Sequence, residues 1–134
     1  MSEIRELLES YKALDDKIAA IFLKSGMERI PTDLKTLHTA FYHIAKAHSA
    51  FFPHLHFKIG GRFPYSEALD QTFPGLAIAG LLSCENPQYK FYVLDEKKRK
   101  IIRERILPLF SSEEQSEIEE IGQELLGHLA VPSL

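Results

Sequence analysis

Between residues 65 and 94 the chain changes its hydrophobic period once, and that switch restricts the available folds more than any other feature. Ser66 offers a side-chain oxygen to the free amides of a helix start, and Leu69, Phe73 and Leu76 follow at offsets of four and three, one stripe of a helix. Gly80 falls where a left-handed turn should stop that helix. The pattern then becomes β-rich: a short strand over 82–84, a polar turn at Glu85, Asn86, Pro87 and Gln88, and a second strand over 89–94. The predicted order is helix, glycine, hairpin.

The flanks read as helices. From Ser2 to Gly26, the residues Ile4, Leu7, Tyr11, Leu14, Ile18 and Ile21 alternate spacings of three and four, and Leu8 and Phe22 widen the stripe. Ser2 suits the N-cap, Glu3 and Glu6 suit the positive end of the helix dipole, and Gly26 suits the stop. A second helix is expected with Thr32 as N-cap, carrying Leu34, Leu37, Phe41, Ile44, His48 and Phe51 as far as Pro53. Leu55, Phe57 and Ile59 then alternate with polar residues, which fits a short strand or extended loop before Gly60 and Gly61. Asp95 caps a basic helix running to about residue 107, Pro108 ends it, and Ser111 or Ser112 with Glu114 or Gln115 makes a capping box for a last helix. Ile118, Ile121, Leu125, Leu126 and Leu129 lie on one side of that helix. The heptad stripe of the first helix has two uses, packing inside its own domain or contact with a second chain. Ile4, Leu7, Tyr11, Leu14 and Ile18, with Ile118, Ile121 and Leu125, are accordingly the candidate protein-interface residues of a homodimer.

With 134 residues the chain is expected to form one α+β, mostly helical domain, divided into an N-terminal helix (1–26), a central unit (31–94) and a C-terminal helical pair (95–130). The absence of an 18-residue apolar run and of a basic-then-apolar leader argues against a membrane span and a secretion signal. The single cysteine, Cys84, precludes an internal disulfide, so a cytoplasmic protein is expected. A net charge of −3 supplies no global attraction to a polyanion.

The run Pro64, Tyr65, Ser66, Leu69, Phe73, Leu76, Gly80, Leu81 resembles the helix-to-wing junction of small bacterial and archaeal winged-helix proteins. The stretch from Gly60 to Leu94 is similar to that of the PadR and MarR repressors, and to Panacea-like proteins associated with antitoxin action. The resemblance implies a winged helix-turn-helix with added terminal helices. It also implies either transcriptional regulation through DNA or a protein-interaction, antitoxin-like adaptor role. In the DNA version the helix from Ser66 enters a major groove and the wing near Asn86 to Lys90 touches backbone, with Lys58, Arg62, Ser66, Gln71 and Lys90 as contact candidates. In the adaptor version, aromatic residues such as Phe63, Tyr65, Tyr89 and Tyr92 form an exposed patch. Two features depart from the family pattern. Arg62 and Phe63 separate the glycines from Pro64, and Pro74 should kink or split the candidate recognition helix.

Charge placement weighs against DNA, because that helix offers Glu67 and Asp70 but no Lys or Arg. Positive charge is concentrated instead at Lys97, Lys98, Arg99, Lys100, Arg103 and Arg105. The next helix carries Glu113, Glu114, Glu117, Glu119, Glu120 and Glu124, so folding the two together is expected to cancel the patch internally. His38, His43 and His48 are five apart, which turns successive side chains about 140° and keeps the three from one face. His54 and His56 lack a spaced Cys or HExxH partner, Gly60-Gly61 lacks a phosphate-loop context, and Cys84 at a hairpin base suits packing. The sequence therefore leads to no expected enzyme activity, metal or cofactor.

Overall fold

The computed structural model describes residues 2–53, 55–84 and 91–130, with side chains described for 14–53, 55–83 and 91–129. The protein is an α+β, mostly helical chain. Helix α1 (Ser2–Ser25) stops at Gly26, whose φ of 75° is open to glycine without strain, and the Ser25 hydroxyl folds back to donate to the Phe22 carbonyl at 2.7 Å. Strand β1 (Arg29–Pro31) follows, although the sequence pattern gives no strand there. Three residues are too few to show a period, and Pro31 reads as the start of a helix.

Asp33, not Thr32, caps α2 (Leu34–Ala47): its carboxylate accepts from the Thr36 amide at 2.9 Å and from the Thr36 hydroxyl at 2.7 Å. The helix ends six residues before Pro53, with His48 as C-cap, and the turn beyond it folds Phe51 and Phe52 into the core. The alternating segment after Pro53 stays outside the sheet. Among the described residues its one ladder contact is the antiparallel pair Lys58 and Tyr65, which exchange backbone hydrogen bonds of 2.8 and 3.0 Å and form a strap with Gly60 and Gly61 at its tip.

Helix α3 (Glu67–Ile78) starts at Ser66, whose hydroxyl accepts from the Leu69 amide at 3.2 Å. It ends in a paired C-terminal turn, with Leu81 N–H donating to Leu76 and Gly80 N–H, at φ 78°, donating to Ala77. Pro74 does not split it. The proline lies on the exposed side, where water can serve the Asp70 carbonyl that loses its amide donor. Strands β2 (Ser83–Cys84) and β3 (Phe91–Val93) pair antiparallel, Ser83 opposite Val93 and Cys84 opposite Tyr92; the expected turn and Lys90 lie outside the described residues. β1 pairs with the other edge of β3, giving the order β1-β3-β2, and Pro31 is tolerated because β1 is an edge.

Asp95 caps α4 (Glu96–Ile101) by accepting from the Lys98 amide at 3.0 Å. The helix loosens into a π turn over Ile102–Ile106 and a 3-10 turn over Leu107–Leu109, where the sequence predicts an unbroken helix. Pro108 has no amide to continue the ladder, and the wider turn keeps Ile102, Ile106 and Leu107 all buried. Helix α5 (Ser112–Ala130) begins with the expected capping box, in which Glu114 N–H donates to the Ser111 hydroxyl and Ser111 N–H to the Glu114 carboxylate.

The core is built where α1 and α5 cross. Phe22 packs edge-on to Phe41 and stacked on Phe73, tying α1 to α2 and α3, and such a buried ring is worth about 1.5–3 kcal/mol. Gly122 lets α5 approach the end of α1: a Cβ there would lie 2.8 Å from the Lys24 carbonyl carbon. Ile18, Ile118, Ile121 and Leu125 are fully buried in this core, so the stripe expected to offer a dimer surface is internal to the chain over those residues. Leu14 packs at the core's margin, and the side chains of Ile4, Leu7 and Tyr11 lie outside the described residues.

Candidate functional site

The α3 entrance is assembled by two neighbours of Ser66. His38, on α2 and fully buried, accepts the Ser66 amide at Nδ1 (3.0 Å) and stacks flat on Tyr65 with centroids 4.9 Å apart. The Tyr65 hydroxyl donates to Asp70 at 2.8 Å. Burial pushes the His38 pKa down from its ordinary value, against the opposing charge of Asp70. Its Nδ1 is therefore an acceptor and its buried Nε2 has no partner.

Of the residues expected to touch DNA, Lys58, Arg62 and Gln71 are exposed, the first two on the strap leading into α3. Ser66 is 1% exposed and engaged in capping, so it is removed from any groove contact. Lys90, like the wing turn, lies outside the described residues. Along α3 the exposed positions are Glu67, Gln71, Pro74, Ala77 and Ile78, the last 89% exposed. Of the aromatic patch, Phe63, Tyr65 and Tyr92 are half-buried, Tyr92 stacked on Phe73, and Tyr89 lies outside the described residues.

The expected cancellation of α4 by α5 is not what the chain builds. Of the cations on α4 and the π turn after it, Lys98 pairs with Asp95 at 3.1 Å and Arg103 with Glu96 at 3.7 Å, Arg99 buries its Nε without a hydrogen-bond partner, and Lys97, Lys100 and Arg105 are exposed. The turns around Pro108 send α5 across α1 and α2 instead, and its acids meet other cations there. Lys17 lies within the field of Glu114 and Glu117, donates to the Phe51 carbonyl and sits over the Phe51 ring.

His48 marks the densest of these meetings. From the C-cap of α2 its Nδ1 lies 3.1 Å from Glu117 and its Nε2 2.8 Å from Glu124, and its side chain is 10% exposed. Burial works to lower the His48 pKa, but the two carboxylate hydrogen bonds together outweigh it and hold the imidazole above its usual range. Ligand atoms of His48, Glu120 and Glu124 all lie within 4.8 Å of one another. Beside them opens a cleft of about 380 Å³ lined by His43, Ile44, Ala47, Glu124, Gly127 and His128, with the His43 and His128 rings stacked. His38 and His43 take no part in this cluster, as their spacing on α2 requires; α5 supplies the other groups. The signal present in the sequence is the spacing of Glu117, Glu120 and Glu124, which puts three acids on one helix face.

Comparison with protein-family models, curated proteins and solved structures gave no match.

Proposed function

We propose that the chain is a winged-helix interaction module that engages a protein partner and does not read DNA. The element order α1-β1-α2-α3-β2-β3 and the strand order β1-β3-β2 support the winged-helix part of this reading. The observation that carries the functional part is the exposed face of α3, the helix that would enter a groove. It presents Glu67, Gln71, Pro74 and an 89% exposed Ile78, with no Lys or Arg along its length. Phosphate neutralisation supplies most non-specific DNA affinity, and an acidic, apolar surface repels phosphate while suiting an apolar side chain flanked by cations. Self-association through Ile18, Ile118, Ile121 and Leu125 is no part of this proposal, since those side chains are core.

The experiment is a salt titration with labelled mixed-sequence duplex. No retention at low ionic strength is expected. Saturable binding that falls steeply with salt would restore the transcriptional-regulator reading.

A further inference from the structure

The geometry points to a divalent transition-metal site clamped between α2 and α5, with His48 Nε2 and the carboxylates of Glu120 and Glu124 as ligands. We infer a zinc-class ion, and Glu117 takes the position of the group that orients the histidine. Three observations converge. First, the ligand atoms lie within 4.8 Å of one another, and the 2.8 Å between His48 Nε2 and Glu124 need open by only about 0.5 Å to admit a tetrahedral ion with bonds of about 2.0–2.1 Å. Second, Glu117 accepts from Nδ1, on the far side of the ring, which is how carboxylates fix the tautomer of metal-bound histidines and leave the other nitrogen's lone pair for the metal. Third, His48 is rigidly placed: it caps α2 through its amide on the Ile44 carbonyl and its side chain is 10% exposed, so the ligand that orders the site is built in, whereas Glu120 is exposed and free to swing in.

An imidazole with two carboxylates suits Zn²⁺, Mn²⁺ or Fe²⁺ better than Mg²⁺, which prefers all-oxygen octahedra and keeps its waters. On binding, the Nε2 proton leaves to solvent as the metal–nitrogen bond forms, and Glu124 exchanges its hydrogen bond for a metal bond. Three protein ligands leave a fourth position open, and a cleft that shares Glu124 lies beside the site. The ion would join the C-terminus of α2 to the middle of α5.

Calorimetric titration of the chelator-treated full chain with Zn²⁺, and in parallel with Mg²⁺, tests this. One equivalent of Zn²⁺ is expected to bind in the micromolar range or tighter, with no saturable Mg²⁺ binding. Glu120→Gln separates metal ligation from the hydrogen-bonded clasp, because no hydrogen bond joins Glu120 to His48. It is expected to weaken Zn²⁺ binding at least tenfold while leaving the metal-free melting temperature unchanged. Glu117→Gln is expected to weaken it about tenfold through ring orientation. Substituted Co²⁺ should show visible absorption of a four-coordinate site in the wild type that Glu120→Gln diminishes. Absence of 1:1 Zn²⁺ binding, equal binding of Zn²⁺ and Mg²⁺, or a Glu120→Gln change below tenfold would each overturn the assignment.

Discussion

Ser66 and His38 show how much of α3 depends on two side chains. The Ser66 hydroxyl serves one orphan amide of the helix start, and the His38 ring serves the amide of Ser66 itself. Ser66→Ala should cost about 0.5–2 kcal/mol of unfolding free energy, read as a shift in the urea midpoint. The histidine adds a pH dependence. Its folded pKa lies below the unfolded value of 6.5, so between the two values the unfolded chain binds more protons and stability rises with pH. The contribution is complete above about pH 6.5 and is lost as pH falls through the depressed pKa. His48, held above its usual range, contributes with the opposite sign, so the informative quantity is the difference between wild type and His38→Phe. That variant leaves the Ser66 amide without an acceptor and should cost about 1–3 kcal/mol near neutral pH. The cost should shrink toward pH 5, and urea unfolding at several pH values checks it. The capping role of Ser66 is legible from its residue type and spacing; that of His38 is not, because its partner is 28 residues away.

Among the elements, the contact of α1 with α5 is the most extensive, and it rests on one glycine. Gly122→Ala drives a Cβ to 2.8 Å from the backbone of Lys24 and to 2.9 Å from that of Ser25, atoms that cannot rotate away. The expected cost is about 1–3 kcal/mol, read from denaturant unfolding, whereas Gly127→Ala, with open space around it, should be neutral or stabilising. Helices α1, α3 and α5 are legible because each carries a long stripe and a recognisable cap or stop. The short strand β1 is not, since its three residues are extended only because β3 offers them an edge. The π turn at Ile102–Ile106 is equally hidden: the periodicity of the basic helix gives no warning that two isoleucines and Leu107 must all reach the core.

For the molecule as a whole, charge is arranged against expectation. Glu114 and Glu117 of α5 act on Lys17, Glu117 and Glu124 hold His48, and Lys98 and Arg103 take Asp95 and Glu96 as partners in place of α5 acids. Composition could not show this, because which helix α5 packs against is decided by the turns around Pro108 and by the fit at Gly122. The consequence is that the exposed cations of this region lie on α4 and the turn beyond it and not on α3, so the central claim is tested most directly residue by residue. Backbone amide spectra of the labelled protein should be recorded with increasing mixed-sequence duplex at low ionic strength. The account predicts that the amides of α3 from Glu67 to Ile78 stay unmoved. Saturable shifts concentrated along that helix, at Glu67, Asp70 and Gln71, would contradict it.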